Sequence, residues 1–541
     1  MVVPELRAWR AARPRLARLA RGARSRLAGA ARAVRPSSAG SARPRFTRGT
    51  KLATWQFTAI AGTAGAVLAA GVVTAAGPWD STGQRTAERD RAVAAARTGG
   101  ADHGTRSGSA DTAALPVPSA ATVLAGLGGT GSGAGSATGA GTTGTGTGTR
   151  VVPSGKALTG LLGPLLGDSA LGTAHTAAVV DVASGRALYT QDAGRALTPA
   201  STTKIATAVA ALSALGTDHR FTTRTALEPD TKELVLVGGG DPTLTARTDA
   251  DGWASLRTLA DRTAAALKKR GITKVTLSYD TTLYAGTALH PIGVNDNLAP
   301  VSALVADEGR TDGSSSGPAP RVADPARAAA DTFAGLLKKH GVTTTAPGPS
   351  KATGRADALA SVSSPPLSDV VERMLTNSDN DIAEALARQT AVAAGTRADF
   401  AGGAAAVGAR LKHLGLPVAG ARFHDGSGLD RDDRLTANLL TALLVKAGAA
   451  DHPELRPVLT GLPVAGFTGT LSSRYTGDGA AGVVRAKTGT LTGVNALAGT
   501  VVDKDGRMLA FAFLTSGTTD PTAAISALDR TATALAGCGC G

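Results

Sequence analysis

Thr198-Pro199-Ala200-Ser201-Thr202-Thr203-Lys204-Ile205-Ala206-Thr207-Ala208-Val209-Ala210-Ala211-Leu212 places a serine and a lysine three residues apart at the head of an apolar run. On a helix, positions three apart share a face, one turn from each other, so the amine of Lys204 can reach the hydroxyl of Ser201. A serine hydroxyl becomes a useful nucleophile when a neighbouring base takes its proton. A lysine can be that base if burial or nearby positive charge lowers its pKa. At a helix start, backbone N–H groups also face developing negative charge. Taken alone, the pair reads more readily as a capping serine and a solvated lysine.

Two further stretches bear on it. Ser378-Asp379-Asn380 lies between two helical patterns, and Lys487-Thr488-Gly489-Thr490 ends a strand-like run over 483–488. Read singly, the first could cap a helix and the second could be an ordinary strand end. In this order, Ser-x-x-Lys, Ser-x-Asn and Lys-Thr-Gly resemble the signature of penicillin-recognising serine enzymes.

Ser378 follows Ser201 by 177 residues, and Lys487 follows Ser378 by 109. The first interval can hold a domain of ordinary size. With that insertion, the chain resembles the D-alanyl-D-alanine carboxypeptidase/endopeptidase family, the class C low-molecular-mass penicillin-binding proteins, over about residues 151–541. Gly238 to Leu244, Ala299 to Leu304, Asp425 to Arg431, Leu462 to Gly466 and Ala486 to Gly493 add to the likeness. The Gly-, Ser- and Pro-rich run from Asp312 to Arg321 departs from it and suggests a trimmed insertion.

The resemblance implies roles. Ser201 would attack the carbonyl of a D-Ala-D-Ala bond and Lys204 would take its proton. Lys487 would help keep Lys204 neutral by like-charge repulsion and would steer the substrate carboxylate. Ser378 would pass the proton to the leaving amine, and Asn380 would hold the substrate amide. The backbone N–H groups of Ser201 and Thr490 would form the oxyanion hole. Thr488 and Thr490 would bind the carboxylate, and Gly489 would let the substrate approach. Arg431, Asp280 and Tyr284 match a pocket for the diamino acid of the stem peptide; the alternative is a surface pair. His424 and Asp425 read as turn residues. The implied ligands are peptidoglycan stem peptides, with β-lactams as covalent inhibitors. No cofactor is implied, and the eight histidines show no metal-ligand clustering.

The pattern reads as a mixed α/β, more narrowly α+β, chain. Alternating stretches at 175–182 and 186–191 flank Ala183-Ser184-Gly185 as a hairpin. Those at 483–488, 496–502 and 508–515 make three more strands, before a helix over 521–536. Five strands agree with the antiparallel sheet of the penicillin-binding, serine β-lactamase-like fold. The expected enzyme domain is 151–224 plus 357–541, with a smaller α+β domain inserted at 225–356. In the insertion, strands at 233–237 and 275–278 flank a helix at 254–269.

The first 150 residues read differently. Residues 1–51 carry thirteen arginines and Lys51 against Glu5, which is +13 of the formal +15. The high pI therefore describes a tail, and a nucleic-acid partner for the rest loses its support. Residues 52–77 hold no charge, enough to span a bilayer. Trp55 and Trp79 near its ends suit interfacial anchors, and the arginines before it place the tail in the cytoplasm. The expectation is a single-pass membrane anchor with the enzyme outside; the alternative is a cleaved signal peptide and secretion. Residues 80–150 read as a linker, largely Gly, Ser, Thr and Ala, with a reach on the order of 45 Å. Cys538 and Cys540 could close a small strained loop or bind metal weakly, but read first as part of a flexible tail. Two competing functions remain, a β-lactamase and a non-catalytic cell-wall-binding scaffold. The spacing weighs against the first and the intact motifs against the second.

Overall fold

The computed structural model describes residues 155–477 and 479–539. The basic tail, the 52–77 span and the 80–150 linker lie outside these residues. Among the described residues no helix is long and apolar enough to cross a membrane.

Helix α1 (Gly155–Leu166) buries Leu158, Leu162 and Leu166, one residue per turn of a single face. Strands β1 (Ala174–Asp181) and β2 (Ala187–Gln191) form the expected hairpin. Its turn is fixed by the Asp181 carboxylate, which accepts from the backbone N–H and the hydroxyl of Ser184. After a 3₁₀ turn at Ala200–Thr202 comes helix α2 (Thr203–Leu215). Residues 203–212 are all buried, as expected of a helix that is apolar around most of its circumference.

The chain then builds a second layer: β3 (Thr222–Leu227), β4 (Glu233–Val237), α3 (Leu256–Lys269), β5 (Lys274–Asp280), α4 (Pro325–Lys339), short β6 (Thr343–Thr344) and β7 (Gly348–Pro349), and β8 (Asp357–Ser363). The strand order is β6-β5-β4-β3-β8, with β7 also on β5. β4 and β5 are parallel, joined through α3, as a parallel pair requires. Ser255 and Asp324 cap α3 and α4. Leu259, Leu267, Phe333 and Leu337 from these helices pack on Leu234, Leu236 and Leu277. This layer begins at Thr222 and ends at Ser363, slightly wider than 225–356, because its outgoing and returning strands β3 and β8 pair with each other.

The rest is α5 (Leu367–Asn377), α6 (Asn380–Ala393), α7 (Phe400–His413), α8 (Ala437–Gly448), α9 (Arg456–Thr460), β9 (Val484–Leu491), β10 (Val494–Val502), β11 (Met508–Ser516) and α10 (Pro521–Ala536). The main sheet runs β2-β1-β11-β10-β9, antiparallel throughout. β11 shows why its sequence is a nearly continuous apolar run: both faces are covered. Ala510, Ala512 and Leu514 face the core shared with α2, α6 and α8, while Leu509, Phe511 and Phe513 face α1 and α10.

Two expectations change. The strand bearing Lys487 does not end there but continues to Leu491, because Thr490 pairs with Asn495 of β10. Cys538 is not part of a loose tail: it is disulfide-bonded and buried, and its carbonyl accepts from Lys504 N at 3.2 Å. Cys540 lies outside the described residues.

Candidate active site

Ser201 sits in the 3₁₀ turn that leads into α2. Ala200 before it has φ 47°, a left-handed conformation that costs a non-glycine residue about 1–2 kcal/mol. Neighbours hold it there. A Cβ on Gly428 would meet the Ala200 carbonyl oxygen at 2.0 Å, and one on Gly489 would meet the Pro199 carbonyl oxygen at 2.6 Å. Gly489 therefore lets the edge strand β9 close against the segment that carries Ser201.

One turn along, Lys204 is fully buried. Its Nζ lies 3.0 Å from Ser201 Oγ, 2.6 Å from Asn380 Oδ1 and 2.7 Å from the Ser427 carbonyl oxygen. A neutral amine has two N–H groups and one lone pair. The two carbonyl-type oxygens take the N–H groups, which leaves the lone pair for the Ser201 hydroxyl. Burial lowers the Lys204 pKa to about 8, against the opposing pull of Asp425, Glu384, Asp379 and Asp433.

Ser378-Asp379-Asn380 is the joint between α5 and α6. Ser378 ends α5 in the left-handed region, with φ 58° and ψ 40°. Asp379, and neither neighbour, caps α6 by accepting from Ile382 N. Asn380 opens α6, so one side chain on each side of the cap turns to the site. Ser378 Oγ accepts from Lys487 Nζ at 2.8 Å, and Lys487 also donates to the Thr488 carbonyl. Lys487 is fully buried on β9, opposite Ala498 of β10. Burial, and then the charge of Lys204, hold its pKa well below the ordinary lysine value. Burial, one of the two causes named from the sequence, is thus what lowers the Lys204 pKa, and the repulsion between the two amines is felt at Lys487.

β9 is an edge strand, with β10 on one side only. Thr488 Oγ1 donates to Thr470 Oγ1 at 3.0 Å, and Thr490 is exposed. The Ser201 hydroxyl, the Lys204 amine, the Ser378 hydroxyl and the edge strand are therefore brought together by the start of α2, the α5–α6 joint and β9. Such an arrangement can perform acyl transfer.

The profile of the D-Ala-D-Ala carboxypeptidase 3 (S13) family matches residues 158–317 and 312–535. The chain belongs to this family. Carboxypeptidase DacB of Mycolicibacterium smegmatis is 38% identical over 405 residues, covering 72% of this chain and 86% of the relative. The D-alanyl-D-alanine carboxypeptidase of Actinomadura sp. (strain R39) is 32% identical over 474 residues, covering 71% and 86%. The crystal structure of penicillin binding protein 4 (dacB) from Haemophilus influenzae has the same fold, with TM-score 0.57 and 23% identity over 69% of this chain and 97% of that one. As a member of the S13 family, the chain is an enzyme, a serine-type DD-peptidase.

The three residues matched to a diamino-acid pocket fare differently in this S13 chain. Arg431 is exposed, and its guanidinium donates to the Thr492 carbonyl at 2.6 Å, on the β9–β10 turn. It stands at the end of the motif strand. Asp280 is buried at the end of β5, and its carboxylate accepts from Thr282 N and Ala352 N. The Tyr284 hydroxyl lies within hydrogen-bond range of the Gly240 and Ala385 carbonyls, and its ring lies under Arg388. Asp280 and Tyr284 share no hydrogen-bond partner with Arg431: their polar atoms meet backbone groups of the insertion and its border, and that of Arg431 meets the β9–β10 turn.

Several site residues escaped sequence reasoning. Ser427 acts through its carbonyl. Asp425 is more than a turn residue, since it also meets His290. Glu384 accepts from Gly426 N and Ser427 N, and burial raises its pKa to about 7. The Asp-Gly-Ser-Gly-Leu string was the available signal for the first two; nothing local marks Glu384.

Proposed function

We propose that this chain hydrolyses the D-Ala-D-Ala bond of peptidoglycan stem peptides through an acyl-enzyme on Ser201, and that β-lactams acylate the same oxygen. The observation that carries this reading is the 3.0 Å approach of Lys204 Nζ to Ser201 Oγ, with both other Nζ partners acting as acceptors. Ser201 Oγ forms a bond to the carbonyl carbon as its proton passes to Lys204. The backbone N–H groups of Ser201 and Thr490 are assigned to the oxyanion. The proton returns through Ser378 to the leaving nitrogen, the C–N bond breaks, and D-alanine departs. Water then attacks the ester, frees Ser201 and releases the shortened peptide. A substrate carboxylate arriving beside Lys487 brings the opposite charge, which favours the protonated amine there. A cross-linked peptide with a bulkier leaving amine would be cut by the same steps.

The proposed setting is the outer face of a membrane, with residues 52–77 as anchor and 80–150 as tether. An uncharged stretch preceded by a +13 tail supports it. Fractionation followed by amino-terminal sequencing tests it, since a soluble form beginning near residue 78 would establish signal cleavage.

The chemistry is tested by intact-mass measurement of the full chain after benzylpenicillin, and separately after a pentapeptide ending in D-Ala-D-Ala. A persistent penicilloyl adduct on Ser201, lost in Ser201→Ala, together with release of D-alanine from the peptide, is expected. An adduct on another serine would overturn the assignment. Rapid penicillin turnover without peptide cleavage would mark a β-lactamase.

A further inference from the structure

Between β5 and α4 the inserted layer sends out a long segment, residues 281–324, that reaches the catalytic core at two places. The first is His290. Its Nδ1 accepts from Ile292 N at 3.2 Å, so Nε2 carries the hydrogen and donates to Asp425 Oδ2 at 3.1 Å. Both side chains are buried. Asp425 in turn accepts from the backbone N–H groups of Ser427, Gly428 and Asp430. That loop presents the Ser427 carbonyl to Lys204.

The second place is Asn380. The Asn297 carbonyl accepts from Asn380 Nδ2 at 2.9 Å, which turns Oδ1 toward Lys204. The next residue, Asp381, clamps the same segment. Its Oδ1 accepts from Ala299 N at 3.0 Å and its Oδ2 from Arg321 at 2.8 Å. Arg321 also donates to the Glu308 carbonyl at 2.6 Å, so it ties both ends of the contact together.

Both N–H acceptors of Lys204 are therefore aimed by one segment of the insertion. Two acceptors fix the two N–H directions, and the lone pair takes the remaining one, toward Ser201. We propose that residues 281–324 are a positioning element for acylation, with His290 and Arg321 as its two working side chains. The inference rests on the reading of Lys204 as the base. It gives the inserted layer a part in the chemistry that does not depend on binding the stem peptide.

The test is rapid-mixing acylation of the full chain by a fluorescent penicillin, with rates referred to titrated active sites and melting curves recorded beside them. His290→Ala is expected to lower the limiting acylation rate about 10–100-fold, as a misaimed base does, with little change in the half-saturating concentration. His290→Gln, which can still present an N–H to Asp425, is expected to recover most of the rate. Arg321→Lys keeps the charge but loses the fork, and is expected to slow acylation about 3–10-fold. Wild-type rates per active site in folded His290→Ala and Arg321→Lys would overturn the proposal, whatever their melting temperatures. If His290→Ala does not fold, Arg321→Lys decides by the same criterion. Lys204→Ala is the separate control: normal acylation there would defeat the base reading itself, whereas a dead Lys204→Ala beside unaffected variants would defeat only the positioning role.

Discussion

Lys487 Nζ donates to Ser378 Oγ across 2.8 Å and so ties the edge strand to the joint between two helices. The serine occupies that joint at φ 58°, where glycine would sit without strain. Replacing Ser378 by glycine therefore has two consequences. The strain disappears, which favours folding by about 1 kcal/mol, set against about as much for the partner that the buried Lys487 amine loses. The proton relay also disappears, and peptide hydrolysis is expected to fall about 10²–10⁴-fold. Melting curves and D-alanine release read the two separately. Activity intact in the folded variant would remove Ser378 from proton transfer.

The pH profile should report Lys204. The neutral amine is the active form, and its pKa is about 8. Acylation by penicillin is expected to rise about tenfold per pH unit below that value and to level off above it. Stability should follow the same group. Its folded pKa lies below the unfolded value of 10.5, so the unfolded chain binds more protons between about pH 8 and 10.5, and this contribution favours folding increasingly as pH rises through that window. A profile flat from about pH 6 to 9 would exclude Lys204 as the titrating base.

Gly489→Ala tests the contact between strand and nucleophile. The new methyl would lie 2.6 Å from the Pro199 carbonyl oxygen and 3.2 Å from Ala200 Cβ. The strand must retreat, at an expected cost of about 1–3 kcal/mol. Acylation of Ser201 should suffer more than the melting temperature suggests, because Ala200 shifts with it. Unimpaired acylation at a reduced melting temperature would confine the glycine to packing.

Arg431 and Asp280 should part company under mutation. Arg431 is exposed at the end of β9, so Arg431→Ala is expected to lose about ten- to a hundredfold on a peptide with a free diamino-acid end and little on simple penicillins. Asp280→Ala leaves Thr282 N and Ala352 N without their acceptor and should cost about 1–3 kcal/mol of stability, with equal losses on both ligands. Steady-state kinetics on the two ligands separates the cases; equal losses in Arg431→Ala would make that residue structural as well.

The sequence made the site legible where chemistry is carried by side chains in short strings. Ser201 and Lys204 read as a one-turn pair, and the structure places their polar atoms 3.0 Å apart. The five strands of the main sheet were readable because each alternates or runs apolar for long enough to register. Long-range dependence was not readable. Ser427 works through a backbone carbonyl, which any residue carries, and Asn297 does the same. Glu384 lies on a helix whose sequence gives no sign that it will receive the N–H groups of a loop some forty residues later. The pairing of Asp280 and Tyr284 with Arg431 rested on likeness alone, and the polar partners of each are different.

The strand order has a consequence for how the chain is made. Beyond its hairpin partner β2, β1 pairs only with β11, so Ala174 must wait for Ser516 before the middle of the main sheet exists. The inserted layer has no such wait, because its strands lie between Thr222 and Ser363 and pair among themselves. During vectorial synthesis this layer can be complete while the β1–β2 hairpin still offers a bare edge. Contacts of such sequence separation slow the final closure and leave that edge open to wrong partners meanwhile. A chain interrupted before β11 would hold a finished insertion, a finished serine–lysine helix and no sheet to seat them on.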